Sequence, residues 1–321
     1  MSGYSLAGKR VWVSGHRGLV GSAIVRTLEQ RGIHDILTAS SAELDLRDQP
    51  AVRHWVADAK PQAVFLIAAK VGGILANDNF PADFLYDNLM IEANVIHAAH
   101  LAGVEKLLFL ASSCIYPRET AQPIQEEALL SGPLEPTNQW YATAKIAGIK
   151  MCQAYRRQHG NDFISALPAN LYGPNDSFDL QNGHVLPSLL RKFHEAIESG
   201  SPAVTLWGTG TARREFLHVD DLAAALVFLM EHYSGHSHIN VGAGHDIEIR
   251  ELAAVIQQVT GFTGRIVYDP TKPDGAMRKL MDTTRLKTLG WEPSIPLQDG
   301  VAVLYQWLVA NWATLRGRIA A

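Results

Sequence analysis

Cysteine is scarce in this chain. Two residues in 321, Cys114 and Cys152, cannot build a disulfide framework. Long apolar runs are missing as well, so no stretch has the length of a membrane span, and the N-terminus lacks the basic segment and apolar core of a secretory signal. These absences point to a reducing compartment, most simply the cytoplasm. Charge of one sign is not in excess: 28 Lys and Arg against 32 Asp and Glu give a formal net charge of -4. That leaves no basic field for nucleic acid and no polybasic patch for a membrane, so an anionic substrate must be held by local donors. His97 and His100 share a helix face, but no Cys, Asp or Glu set nearby completes a metal site. No metal is expected, and both read as structural or exposed.

What the chain does have is glycine in a telling place. Val11-Trp12-Val13-Ser14 is a short apolar run that opens into Gly15-His16-Arg17-Gly18-Leu19-Val20-Gly21, and a helical pattern follows through Leu28. Strand, tight turn and helix in that order suit a dinucleotide: the first glycine allows the turn, the second lets backbone approach an anion, and the third permits close helix–sheet contact. The second strand, Asp35 to Ala39, ends at Ser40-Ser41 with no acidic residue there to bind an adenosine ribose. Small hydroxyl residues leave room for a 2'-phosphate, which favours NADP. Arg17 is either its charge-assisted partner or a solvated loop charge.

Strands alternate with helices through the first half. Asp48 suits the cap of a helix over Pro50 to Ala59, and Asp45 could reach an adenine edge. Ala63 to Ala69 is a buried strand, followed by Lys70, which is either a substrate-facing cation or an exposed lysine. A helix over about Pro81 to Ala102 precedes a strand from Lys106 to Tyr116, closed by Pro117. Right-handed crossovers then give a mostly parallel sheet whose ligands bind beyond the strand carboxyl ends. The expected fold is α/β: a Rossmann-type doubly wound parallel sheet with a smaller C-terminal substrate-binding α/β domain. Its boundaries are 1–170 with 215–245 returning for the dinucleotide domain, and 171–214 with 246–321 for the other.

Chemistry enters at Tyr141 and Lys145, four apart and therefore on one helix face. A lysine ammonium beside a phenol lowers the tyrosine pKa from about 10 and makes proton transfer feasible near neutral pH. Ser112, near the end of the preceding strand, can donate to the same substrate oxygen. In an extended segment side chains repeat every two residues, which would aim Cys114 to the same side as Ser112; it equally reads as a buried small hydrophobe. The polar stretch from Asn175 to His184 reads as a loop over the site, and His184 at a helix start suits proton exchange or a plain surface position. Trp207 could stack on a base and Arg214 could hold a pyrophosphate, or both could be packing groups. Asp220-Asp221 open a helix in a structural role.

Together the glycine triplet, Ser112 and Tyr141-x-x-x-Lys145 resemble the extended short-chain dehydrogenase/reductase family, over nearly the whole chain. Many of its members act on nucleotide sugars. The segments Ala69-Lys70-Val71-Gly72-Gly73-Ile74, Ser112-Ser113-Cys114-Ile115-Tyr116-Pro117, Asn170-Leu171-Tyr172-Gly173-Pro174 and Arg214-Glu215-Phe216-Leu217-His218-Val219-Asp220-Asp221 are similar to its 3,5-epimerase-4-reductases. These convert GDP-4-keto-6-deoxy-D-mannose to GDP-L-fucose. The resemblance implies catalytic roles for Ser112, Cys114, Tyr141, Lys145 and His184, with Cys114 as thiolate base, His184 as acid and Tyr141 as proton donor at C4. It implies NADPH/NADP+ held by residues 15 to 21, Ser41, Leu110, Ala111, Ser112, Ser113, Lys145, Pro168, Ala169, Asn170, Leu171 and His184. It implies GDP-sugar contacts at Lys192, Trp207, Arg214 and Asp274, and a homodimer built on helices near 86–102 and 141–157. At the end of the second strand the chain has Ser40-Ser41 where that family often has an arginine. The alternatives are a nucleotide-sugar 4-epimerase or 4,6-dehydratase, and, in another class, a non-catalytic dinucleotide-sensing protein.

Overall fold

A computed structural model describes residues 3–180, 183–272 and 274–319. Gln181 and Asn182 of the expected loop, and Pro273 of the expected turn at 272–275, lie outside them. The first half alternates as the apolar pattern requires: β1 (Val11–Ser14), α1 (Leu19–Gln30), β2 (Ile36–Leu37), α2 (Gln49–Ala59), β3 (Ala63–Leu66), α3 (Ile74–Asn79), α4 (Pro81–Leu101), β4 (Lys106–Leu110), α5 (Gln139–His159) and β5 (Asp162–Pro168). β1, β3 and β4 are buried at every position. Uninterrupted burial is what a parallel strand covered on both faces demands. Asp48 caps α2 by accepting the Ala51 N–H at 3.0 Å.

The second half supplies β6 (Asn170–Tyr172), α6 (Val185–Ser199), β7 (Ala203–Trp207), β8 (Arg213–Arg214), β9 (Phe216–His218), α7 (Val219–His232) and β10 (Ile239–Val241). After these come β11 (Ile247–Glu248), α8 (Ile249–Thr260), β12 (Arg265–Asp269), β13 (Arg278–Lys279), α9 (Thr284–Leu289) and α10 (Leu297–Ile319). The main sheet has the order β10-β5-β4-β3-β1-β2, with every neighbouring pair parallel. Strand order reverses between β1 and β3, so a ligand crevice lies beyond their carboxyl ends. Ser14 clamps that point: its hydroxyl donates to the Phe65 carbonyl at 3.2 Å and accepts the Ile67 and Ala68 N–H groups at 3.0 and 3.2 Å.

Two apolar clusters form. The larger surrounds the main sheet, and the smaller gathers Leu186, Leu190 and Phe193 of α6, Leu252 and Ile256 of α8, and Leu304 and Leu308 of α10. Met281 and Leu286, from the segment expected on the substrate side, pack instead into the larger cluster. The reason is β10: α9 lies against it, and the Asn240 side-chain amide donates to the Asp282 carbonyl at 3.1 Å, tying that segment to the main sheet. Asp220 and Asp221 have the structural roles their position suggests. The first pairs with Arg26 at 2.5 Å and the second accepts the Ser294 and Ile295 N–H groups. Among the described residues no helix is long and apolar enough to cross a membrane, and no group of His, Cys, Asp and Glu is placed to hold a metal ion.

Candidate active site

The glycine loop is built for a close approach. Gly15 takes φ +74, the left-handed region that favours glycine, and stands against Ala68 of the β3 end; a Cβ on it would lie 3.0 Å from the Ala68 Cα. A Cβ on Gly21 would lie 2.2 Å from the Gly15 carbonyl oxygen, so the first turn of α1 packs on the loop only without a side chain. Gly18 is the α1 N-cap, no side chain caps the helix, and its first turn carries no acidic residue. The leading N–H groups of α1 therefore remain available to an anion. Arg17 beside them is exposed.

Beyond β2 the strand end carries Ser40-Ser41 and no acidic residue, and a carboxylate reaches it from Glu43 in the following turn. Glu43 folds back so that one carboxylate oxygen accepts both the N–H and the hydroxyl of Ser40 at 2.7 Å. These bonds, with Arg17 and His16 nearby, hold its pKa below the ordinary glutamate value. Ser41 is exposed on the turn between them. Asp45 is engaged by Arg47 at 2.8 Å and Lys70 by Asp83 and Asp87 at 2.9 and 3.0 Å, so Lys70 is an ion-paired lysine in this structure.

β4 also departs from expectation. It stops at Leu110, and Ser113–Ile115 forms a single 3-10 turn where an extended strand was expected to reach Tyr116. Ser112 causes the change: its side chain accepts the Cys114 N–H at 3.4 Å and its carbonyl accepts that of Ile115 at 3.3 Å, replacing ladder bonds by local ones. Period-two alternation therefore does not relate Ser112 to Cys114; the turn curls Cys114 back beside it. Burial pushes the Cys114 thiol above its ordinary pKa, against the smaller pull of Lys279, Ser112 and Lys145. That direction opposes the thiolate form that the resemblance implies for catalysis.

Tyr141 and Lys145 do share one face of α5, with the Lys145 ammonium 5.8 Å from the Tyr141 ring centre. The expected lowering of the phenol pKa is not found. Burial, then Cys114, then Glu92 drive the Tyr141 pKa well above its ordinary value. Lys145 is itself buried and sits 2.9 Å from Glu92 of α4, whose pKa burial raises against the opposing pull of that lysine. It also donates to the Leu110 carbonyl at 3.2 Å and lies 4.7 Å from the Phe109 ring centre.

His184 is the N-cap residue of α6, and its ring nitrogen lies 3.8 Å from the buried Asp176. That carboxylate raises the His184 pKa above its ordinary value, outweighing burial. Lys192 and Lys272 stand 5.7 and 5.8 Å from the ring centre of Trp207, which is 60% exposed and open to a stacking partner. Asp274 accepts the Thr209 N–H at 2.7 Å and hydroxyl at 2.9 Å and so ties the 208–211 turn to its own loop. Arg213 pairs with Asp246 and Glu248, leaving Arg214, half-buried, facing the Asp274–Gly275 turn. Lys279 pairs in register with Arg214 across β13 and β8, which links the Cys114 group to the Arg214 group. Pro168 ends β5, Ala169 donates to the Val241 carbonyl, the Asn170 amide donates to the Glu215 carbonyl at 2.8 Å, and Leu171 packs on the larger core. Ala111 donates to Ala166 at 2.9 Å, and Ser113 is buried in the turn.

Three groups escaped the sequence reading. Glu92 carried a signal, a lone charge inside the apolar run Leu89-Met90-Ile91-Glu92-Ala93. Asp176 looked like one more turn residue, and Lys279 had no signal, since only pairing of β13 with β8 brings it to Cys114.

Residues 11–242 match the NAD dependent epimerase/dehydratase family. Over 302 residues the chain is 57% identical to GDP-L-fucose synthase 1 of Arabidopsis thaliana, covering 94% of each. It is 54% identical over 320 residues to GDP-L-fucose synthase of Escherichia coli (strain K12), covering 96% of this chain and 99% of the other. The chain belongs to the NAD dependent epimerase/dehydratase family, on its GDP-L-fucose synthase branch. Its backbone superimposes on a GDP-L-fucose synthetase from Naegleria fowleri bound to NADP with a TM-score of 0.91, at 28% identity and 98% coverage of both chains. The family match takes in the glycine loop, Ser112, Cys114, Tyr141, Lys145 and Arg214, whereas Asp274 and Lys279 lie beyond it.

Proposed function

We propose that this chain converts GDP-4-keto-6-deoxy-D-mannose to GDP-L-fucose by epimerisation at C3 and C5 followed by NADPH-dependent reduction at C4. The observation that carries the reading is the grouping of Ser112, Cys114 and Tyr141 at one strand end, with Lys145 beneath the phenol and Lys279 beside the thiol. The uncapped α1 N-terminus, the side-chain-free contact between Gly15 and Gly21, and exposed Arg17 fit a dinucleotide pyrophosphate with a 2'-phosphate. When bound, NADPH supplies the hydride that reduces C4.

The residues' roles follow from acidity. A C4 ketone acidifies the protons at C3 and C5, because removing either gives an enolate. Ser112 and Tyr141 donate hydrogen bonds to the oxygen on which that charge develops. Cys114 accepts the proton in its thiolate form, which Lys279, Ser112 and Lys145 favour against burial and from which the thiol proton has first passed to solvent; His184, whose pKa Asp176 raises, returns a proton to the opposite face. Tyr141, holding its proton, then gives it to the C4 oxygen as that carbon is reduced. Trp207 stacks on the guanine, and Lys192 and Arg214 hold the pyrophosphate of the GDP-sugar, with Asp274 fixing the turn around them. Exposed Tyr86 and Leu101 on α4 and Trp140 on α5 support a homodimer through those helices, and a cytoplasmic setting fits the free cysteines.

The purified chain, given the keto sugar and NADPH, should oxidise one NADPH per GDP-L-fucose seen by NMR. Turnover with no net NADPH oxidation would identify a cofactor-recycling 4-epimerase or 4,6-dehydratase instead. Unchanged turnover in Tyr141→Phe would move the active site elsewhere.

A further inference from the structure

The substrate end of the site runs in a line away from the reaction centre. The Lys279 charge reaches the Cys114 thiol, and Lys279 pairs in register with Arg214, which faces the Asp274–Gly275 turn; Asp274 in turn is bonded to Thr209, just beyond Trp207. A GDP-sugar laid along that line has its sugar at Cys114, its pyrophosphate at Arg214 and its base at Trp207. One more cation stands at the Trp207 end. The Lys272 ammonium, on an exposed residue, is 5.8 Å from the Trp207 ring centre, and it enters none of the ion pairs that engage Arg213, Arg250 and Arg278 nearby. Asp269, three residues before it, is turned instead to the N–H and hydroxyl of Thr271 at 3.0 and 2.5 Å.

The backbone that carries Lys272 is laced to the strand end that carries Trp207. β12 pairs in parallel with β7, placing Asp269 beside Trp207, and the Gly208 and Lys272 N–H groups both donate to the Asp269 carbonyl, at 2.9 and 3.2 Å. Asp274 ties the far side of the loop to Thr209, and a Cβ on Gly208 would lie 2.2 Å from the Asp274 carboxylate. Stacked rings sit with centres roughly 4.5–7 Å apart, so an ammonium 5.8 Å from the Trp207 centre stands at the height of the edge of a base stacked there. Stacking alone accepts any base, because each has a π-face. Base edges differ. Guanine presents the acceptors N7 and O6 side by side where adenine has N7 and an amino donor, and lysine suits the guanine pair. An ammonium has donors and no acceptor, so it has nothing to offer the adenine amino group. Lys192, the other cation at the ring, comes from α6 and is half-buried, in keeping with its assignment to the pyrophosphate. We propose that Lys272 is a specificity-determining residue that reads the O6/N7 edge of the guanine stacked on Trp207 and so selects GDP-sugars over those built on adenine. The proposal rests on the GDP-sugar reading above.

Calorimetric titration of the full chain with GDP, inosine diphosphate and ADP tests it, because inosine keeps O6 and N7 but lacks the 2-amino group of guanine, whereas adenine lacks O6. The native chain should bind GDP and inosine diphosphate within a few fold of each other and ADP roughly tenfold or more weakly. Lys272→Met, a change at an exposed position, should weaken the first two by about that factor and leave ADP within a few fold. Lys272→Arg, which also pairs with O6 and N7, should keep the selectivity. Equal weakening of all three in Lys272→Met would make Lys272 a phosphate contact and overturn the proposal, as would an unchanged ratio of GDP to ADP affinity. A native chain that binds inosine diphosphate as weakly as ADP would put recognition on the 2-amino group and overturn it too. Binding needs neither the keto sugar nor hydride transfer. The expected selectivity in a chain that leaves the keto sugar unreduced would sink the proposed function and uphold this inference, and turnover without base selectivity would do the reverse.

Discussion

Cys114→Ser separates the two chemistries assigned to one carbonyl. The substitution swaps sulfur for oxygen at nearly constant shape, so the Ser112 bond to the N–H of residue 114, the 3-10 turn and the Tyr141–Lys145 pair should persist. What disappears is an ionisable proton acceptor. Burial already pushes the thiol up, with Lys279, Ser112 and Lys145 offsetting part of that rise; an alcohol at the same place stays protonated throughout the working range. Losing a general base costs roughly 10²- to 10⁴-fold. At 1.36 kcal/mol per tenfold, that is about 3 to 5 kcal/mol of barrier. The first assay is deuterium uptake at C3 and C5 of the keto sugar in heavy water, read by NMR. The second is NADPH oxidation with the already epimerised ketone as substrate. Exchange should collapse by the stated factor while reduction stays within a few fold of native. Equal loss of both, in a variant that unfolds like the parent, would show that Cys114 has no separate role.

Asp176→Asn removes the carboxylate that raises the His184 pKa, so the acid form should be lost at lower pH and the alkaline limb of C3/C5 exchange should shift down; an unmoved limb would detach the pair from catalysis. Because the His184 pKa is raised in the folded state, the pair's contribution to stability is present below the ordinary histidine value and fades as pH climbs through the raised one. The Tm gap between native and D176N should therefore close on the alkaline side. Gly21→Ala puts a methyl group 2.2 Å from the Gly15 carbonyl oxygen. Forced repacking of this kind costs typically 1–3 kcal/mol, roughly, and should abolish NADPH binding by fluorescence titration, whereas native affinity would mean the loop yields freely. Glu43→Gln removes a carboxylate that competes for Arg17 and His16, so the Kd ratio of NADH to NADPH should rise; a fall would show that Glu43 assists the 2'-phosphate.

Local pattern alone determined the dinucleotide end. Glycines at 15, 18 and 21 follow a buried strand and open a helix, and each of those features is set by residues within a few positions of one another. The same holds for Tyr141 and Lys145, whose spacing puts them on one helix face wherever that helix lies. Electrical charge in the site was not legible in this way. Spacing implied a lysine that acidifies the phenol, but Glu92 arrives from a helix some fifty positions earlier to pair with that lysine. Ser112 turned an expected strand into a 3-10 turn because its own side chain outcompeted the ladder, a contest that apolar periodicity does not register. Lys279 reaches Cys114 only through the pairing of two short strands about 65 residues apart, one outside the span shared with the family. Sequence thus determined which groups are candidates to react. Long-range packing decided their protonation, since a pKa depends on every charge and every desolvated surface nearby, whatever its distance along the chain.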